Sequence, residues 1–184
     1  MTDIDALLRS TGAVLEGHFR LTSGRHSPLY IEKFRIMEDP RATVALCGMI
    51  ADHYRGAGVS VVVGPAMGGV ILAYETARQL GVRAIFAEKD AEGRLFFDRD
   101  FKVAPGEPAL VVDDVLTTGG SVKQVLSLVA AAGAKIAGVG MLIDRTGGQT
   151  SFDVPFFACH TVSIESYAAD ACPLCARGLP LVET

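Results

Sequence analysis

Twice in this chain a short aliphatic, β-branched run ends in a glycine-bearing loop and passes straight into an amphipathic helical stretch. The first run is Val59 to Val63, broken only by Ser60; it closes on Gly64 and leads into a helix over 68–80. The second is Leu110, Val111 and Val112, followed by Asp113, Asp114, a polar loop and a helix over about 121–132. A run without polar alternation suits a strand covered on both faces, and two parallel neighbours need a crossover, usually helical, between them. Further strands are expected at 82–87, at 135–143, and at 154–157 or 160–164. The pattern predicts an α/β fold: a mostly parallel central sheet flanked by helices. With 184 residues it forms a single domain over 1–184.

Helix faces and stops support this order. Val70, Ala73, Ala77 and Leu80 share one side of the first crossover helix, and Gly81 ends it. Val122, Val125, Leu126 and Val129 stripe the second, ended by Gly133. Asp39 before Pro40 is a helix start, with Leu46, Ile50 and Tyr54 on one face. Residues 1–36 lack the alternating pattern. A short helix is expected over 3–14, through Ile4, Leu7, Leu8 and Thr11, then strand-like pieces at 19–22 and 29–34. They form a small hood outside the main sheet.

Composition excludes several partners. Lys and Arg number 17 against 21 Asp and Glu, a net charge of −4 with no long basic run, so a nucleic-acid partner is not expected. At 49 % hydrophobic residues the chain is not a disordered one. No apolar stretch reaches the roughly 18 to 20 residues that span a membrane. The acidic start Met1-Thr2-Asp3-Ile4-Asp5 lacks a signal peptide's basic and apolar regions, which points to the cytoplasm. Four cysteines are too few for a disulfide framework. Cys47 reads as core packing. Cys172-Pro173-Leu174-Cys175 has zinc-knuckle spacing, and Cys159 with His160 would complete four ligands; reduced thiols or a redox disulfide are the other readings.

The chemistry concentrates where strands end. Asp113 and Asp114 sit at the carboxyl end of a buried strand, the edge at which open α/β sheets bind ligands. Val115, Leu116, Thr117, Thr118, Gly119, Gly120 and Ser121 then lead into a helix. Backbone N–H groups of such a turn cradle phosphate, and the three hydroxyls add donors. Carboxylates hydrogen-bond sugar hydroxyls or hold Mg²⁺. A 5-phosphorylated ribose satisfies both halves of the segment, whereas turn capping would use one acid and leave the nest unexplained. No Gly-Lys-Ser/Thr follows, so this is not a Walker loop, and Gly119-Gly120 lacks dinucleotide-fingerprint spacing. Gly64-Pro65-Ala66-Met67-Gly68-Gly69 is either a second anion loop or an ordinary glycine-rich turn. Arg145, after the 135–143 strand, is either a bidentate carboxylate binder at the same edge or a surface arginine. The charged segment 88–107 is either a solvated connection or a mobile lid. Within it Asp90 to Gly93 has turn composition and Leu95 to Phe97 suits an edge strand.

Residues 111–121 resemble the phosphoribosyl pyrophosphate signature of type I phosphoribosyltransferases. Leu21-Thr22-Ser23-Gly24-Arg25-His26-Ser27-Pro28-Leu29-Tyr30 resembles the N-terminal signature of that family's orotate-specific branch, and Gly64 to Gly69 resembles its pyrophosphate loop. The resemblance implies a Mg²⁺-dependent pentosyltransferase of UMP biosynthesis that moves 5-phosphoribosyl from phosphoribosyl pyrophosphate onto orotate. It implies that Asp113 to Ser121 hold phosphate and ribose. Pro65, Ala66, Met67, Gly68 and Lys89 meet pyrophosphate. Ser23, Gly24, Arg25, Thr117 and Arg145 bind orotate, with Phe34 stacked on its ring. Lys89 and Arg94 join the two acids in catalysis, on a loop over 88–107 shared across a homodimer. Mg²⁺ is held mainly by substrate oxygens. The sequence departs from relatives that carry a lysine at Thr22 or at Met67 or Gly68, and from those with a histidine in the loop, so positive charge must come from elsewhere. His26 is either an incidental loop residue or a ligand contact. A purine-type phosphoribosyltransferase and a nucleotide-sensing regulator on the same fold are the alternatives.

Overall fold

The computed structural model describes residues 3–184. Asp3 caps α1 (Ile4–Ser10), its carboxylate accepting from the Ala6 N–H. The helix stops before Gly12, whose φ of +69° favours glycine, and the chain turns at once into β1 (Val14–Arg20). The expected helix over 3–14 is therefore shorter and the first strand longer. β2 (His26–Ile31) pairs antiparallel with β1. It does not run on to residue 34, because Glu32 accepts from the Phe34 N–H and starts α2 (Lys33–Met37). Asp39 caps α3 (Pro40–Tyr54), as its Asp-Pro start predicts.

The main sheet follows as β3 (Val61–Pro65), α4 (Gly68–Leu80), β4 (Arg83–Lys89), β5 (Leu95–Phe96), β6 (Pro108–Leu116), α5 (Gly120–Ala131), β7 (Lys135–Asp144) and β8 (Phe156–Thr161). The strand order is β5-β4-β3-β6-β7-β8, parallel throughout except for the short edge strand β5. A 3-10 turn (Ala169–Ala171) and α6 (Pro173–Ala176) lead to β9 (Val182–Glu183), which lies parallel to β1. The hood is thus a three-stranded sheet, β2-β1-β9, built from both the N-terminal and the C-terminal parts of the chain. No helix among the described residues is long and apolar enough to cross a membrane.

Both faces of the main sheet are dry. Val62, Leu110, Val112 and Leu142 pack with α3 and α4 on one side. Val61, Val63, Ala109, Val111, Val139 and Met141 pack with α5 on the other. Alternate residues of each run go to opposite cores, so no position is left for a polar one. Gly138 and Gly140 are needed because Tyr54 and Ile50 of α3 fill the space their Cβ atoms would take. The buried Tyr54 hydroxyl donates to the Val139 carbonyl (2.8 Å) and lies 3.1 Å from that of Pro155, tying α3 to the sheet.

Segment 88–107 is neither featureless nor wholly solvated. A turn at 90–93 returns the chain into β5, whose Leu95 N–H donates to Gln124 of α5. Leu95 and Val103 are buried in the α5-side core, and Phe101 meets Phe86 edge to face.

Tyr54→Phe is expected to lower stability by about 1 to 2 kcal/mol, by removing the buried donor of the Val139 carbonyl. Urea unfolding should show a lower midpoint at unchanged slope.

Candidate functional site

β3 and β6 are neighbours in the sheet, but their chains leave in opposite directions. After β3 the chain crosses through α4 to β4; after β6 it crosses through α5 to β7. The two departing loops open a crevice between them, the place where such sheets bind ligands. A cavity of about 290 Å³ lies there, walled by Pro65, Ala66, Met67 and Gly68 on one side and by Asp113 to Val115, Thr117 and Ser121 on the other. The hood roofs it with Thr22, Tyr30, Ile31 and Lys33, and Lys89 and Arg145 complete the wall.

The strand does not end before the acids. β6 runs through Asp113 and Asp114 to Leu116, so strand alternation sends the two carboxylates to opposite faces. Asp113 follows Ala109 and Val111 toward α5, and it shares a small second cavity with residues 115–122. Asp114 follows Leu110 and Val112 toward α2 and α4. There the Lys33 ammonium lies 2.8 Å from Asp114 Oδ2. Asp114 also dictates Gly68, where any Cβ would overlap its carboxylate. Gly64 is dictated by the backbone of Gly69, which leaves no room for a side chain.

Burial shapes the charges. Desolvation, and then the Asp114 charge beside it, push Asp113 up to about 7. Burial works against the charge of Lys33, yet the hydrogen bond and charge of Asp114, with that of Asp113, hold its pKa above the usual lysine value. Burial lowers the pKa of Arg145, and its Nε is buried without a hydrogen-bond partner among the described residues. Two helices begin at the crevice without a capping side chain, α4 after Met67 and α5 after Gly119, which takes φ +75°. Their leading N–H groups are available to anions.

The turn that follows Arg145 is held by its neighbour. The fully buried Asp144 carboxylate accepts from the N–H and hydroxyl of Thr146 and from the N–H of Gly148. The Arg145 N–H donates to the Leu116 carbonyl, so the turn after β7 is fastened to the end of β6.

The structure thus gathers Asp113, Asp114, Val115, Thr117, Ser121, Pro65 to Gly68, Lys89 and Arg145 at one cavity. Leu116, Thr118, Gly119 and Gly120 line the adjoining cradle. Other expected residues stand apart. Phe34 projects from α2 with its ring under the Lys33 ammonium, outside the cavity wall, because the helix start at Glu32 turns it away. Arg94 is paired to Asp90 and Glu92 within its own turn. Ser23, Gly24 and Arg25 form the tip between β1 and β2, where the Arg25 guanidinium donates to Ser166. Cys159 and His160 do not join Cys172 and Cys175: the Cys159 thiol donates to Leu46 in the core, and His160 faces Asp5. The sequence did not mark Thr22, Tyr30, Ile31 or Lys33 as site residues. No strong sequence signal marked Lys33, because the residue that starts its helix is Glu32 rather than a preferred Ser, Thr, Asp or Asn cap.

Comparison with known proteins agrees with this geometry. The phosphoribosyl transferase domain family matches residues 36–168. An orotate phosphoribosyltransferase of Desulforamulus reducens is 46 % identical over 98 % of this chain and 94 % of its own length. One of Chlorobium phaeobacteroides is 47 % identical over 95 % and 90 %. The crystal structure of an orotate phosphoribosyltransferase from Aeropyrum pernix superposes with a TM-score of 0.73 at 27 % identity, covering 86 % of this chain and 93 % of that one.

The raised Asp113 has a stability consequence. Folded Asp113 keeps a proton that the unfolded chain releases from about pH 4 upward, so the fold loses stability as pH rises from there to about 7. Asp113→Asn keeps an Oδ1 acceptor for the Asp114 N–H. Its Tm is expected to exceed the parent's by a margin that widens from pH 5 to pH 8, read by thermal unfolding at each pH.

Proposed function

The chain belongs to the phosphoribosyltransferases, and within them to the orotate phosphoribosyltransferases of pyrimidine (UMP) biosynthesis, and from that premise we propose how its cavity performs the transfer. A ring nitrogen of orotate attacks the anomeric carbon of phosphoribosyl pyrophosphate as pyrophosphate departs. Positive charge builds on the ribose, as in other glycosyl transfers. No covalent protein intermediate is required, so the residues act by position and charge.

The uncapped start of α5, with Thr117, Thr118 and Ser121, takes the 5-phosphate. Asp113, beside that cradle, accepts from ribose hydroxyls, and Asp114 orders the opposite wall through Lys33. The amides of Pro65 to Gly68 and the Lys89 ammonium receive pyrophosphate. Lys33 supplies cationic charge that Thr22 and Met67 do not. Arg145 pairs with the carboxylate of orotate, and Tyr30 and Ile31 cover the ring in place of Phe34. The observation that carries this assignment is the buried Arg145 Nε, a donor with no partner until a carboxylate arrives. A purine offers none, which favours orotate over purines as acceptor.

The oxygen donors at the cavity suit a substrate-held Mg²⁺. They include two aspartates, one already committed to Lys33, and the hydroxyls of Thr117 and Ser121. The ion's remaining ligands would come from substrate oxygens and water. Its chemistry there would be to offset negative charge on the pyrophosphate leaving group.

The exposed apolar residues Val44, Ile71 and Tyr74, from α3 and α4, line a groove of about 420 Å³ that also reaches Met37. We assign this face to a homodimer, which would set a second chain near the cavity mouth and let its 88–107 segment complete the site.

Pyrophosphate release should require phosphoribosyl pyrophosphate, Mg²⁺ and orotate, with adenine or hypoxanthine inert; purine turnover would reject the assignment. Arg145→Gln is expected to raise KM for orotate roughly 10- to 100-fold, the loss of a charge-assisted pair, with a smaller effect on KM for phosphoribosyl pyrophosphate. Equal losses for both substrates would remove Arg145 from the orotate subsite. Ile71→Asp with Tyr74→Asp is expected to halve the mass found by light scattering; an unchanged mass would move the dimer contact elsewhere.

A further inference from the structure

On the hood, apart from the cavity wall, four side chains from distant parts of the sequence converge. His18 comes from β1, His26 from the first position of β2, and Cys172 and Cys175 from the start and third residue of the α6 turn. One ligand atom of each lies within 4.8 Å of every other. His18 Nε2 is 3.0 Å from His26 Nδ1. Cys172 Sγ is 3.6 Å from His18 Nε2. Cys175 Sγ is 3.7 Å from His18 Nε2 and 3.3 Å from His26 Nδ1.

These separations are the edges of a small tetrahedron. Zinc bonds of about 2.0 Å to nitrogen and 2.3 Å to sulfur, at tetrahedral angles, put N···N near about 3.3 Å and N···S near about 3.6 Å. The tautomer is set as well. His18 Nδ1 lies 2.9 Å from the Leu179 carbonyl, which can only accept, so that nitrogen carries the proton and Nε2 presents its lone pair to the cluster. Both imidazoles and Cys172 are buried. Apolar packing does not call for two rings facing nitrogen to nitrogen with two sulfurs on the same atoms. Both cysteines are free thiols.

We propose that His18, His26, Cys172 and Cys175 form a structural zinc site, independent of the transfer reaction. Two thiolates and two neutral imidazoles balance the dication, and binding releases the two thiol protons. Four protein ligands leave no open position, so the ion serves the fold rather than catalysis. Its effect reaches the cavity. His18 and His26 bracket the hairpin tip that carries Thr22 and Arg25, and the cysteines lie on the tail that continues into β9. One ion therefore fastens tail to hairpin at the root of the roof.

The test uses the full chain, purified without chelator. Elemental analysis should find about one zinc per chain, as a closed four-ligand site requires. After chelator stripping, added Co²⁺ should give the visible bands of tetrahedral cobalt and a near-ultraviolet thiolate charge-transfer band. Cys175→Ser, at an exposed position, should lose both the zinc and the charge-transfer band, while Cys47→Ala keeps them. Three results would overturn the proposal: a folded wild-type chain that holds no zinc and takes up neither Zn²⁺ nor Co²⁺, zinc retained unchanged by both Cys172→Ser and Cys175→Ser, or a Cys172–Cys175 disulfide found by mass spectrometry in the native protein.

Discussion

The parting of two adjacent strands organises this molecule. β3 and β6 are hydrogen-bonded neighbours, yet the helices that follow them run to opposite halves of the sheet. Backbone cannot fill the gap that opens beyond their ends, so the fold makes a crevice there whatever the side chains are. The sequence specifies what lines it: two helix starts without capping side chains, and between them a carboxylate pair. Anion-seeking amides and anionic side chains sit side by side because the strand and the loops meet at that point.

Charge in the crevice is balanced by a residue from outside the sheet. Lys33 belongs to the hood and reaches down to Asp114. Gly68 lets Asp114 and α4 approach so closely that a side chain at 68 would collide with the carboxylate. Any side chain at that position is incompatible with this arrangement of Asp114. The cation beside Asp114 comes from position 33, so one ion pair ties the hood to the sheet. Asp113, on the other face of the same strand, lacks such a partner and resists ionisation.

The sheet was legible because each buried strand is a run in which consecutive residues enter opposite cores, leaving the uninterrupted aliphatic signature of Val61 to Val63 and Leu110 to Val112. Helix α4 was legible from its spacing and its stop at Gly81, which adopts φ +73°, although Leu72 and Thr76 are buried beside Ala73 and Ala77 where Val70 and Leu80 were expected. The hood was legible as a piece outside the sheet, but its strand bounds and its third strand were not, because the strands are short and β1 is completed by β9 from the far end of the chain, a contact no local pattern encodes. Phe34 and Lys33 show the cost of one missed cap. Read as strand, 29–34 exposes the wrong side chain to the cavity; with Glu32 starting a helix, the roles of the two neighbours exchange. Cys172 and Cys175 were visible as a pair, but their neighbours His18 and His26 lie over 140 positions away.

The pairing of β9 with β1 joins Arg20 to Glu183 across 163 positions. A chain folding from its N-terminal end as it is synthesised can assemble the central sheet well before that partner exists. The roof of the cavity is then the last piece to acquire its final support. Fusions or truncations at the C-terminal end would be felt by substrate recognition before they are felt by the core.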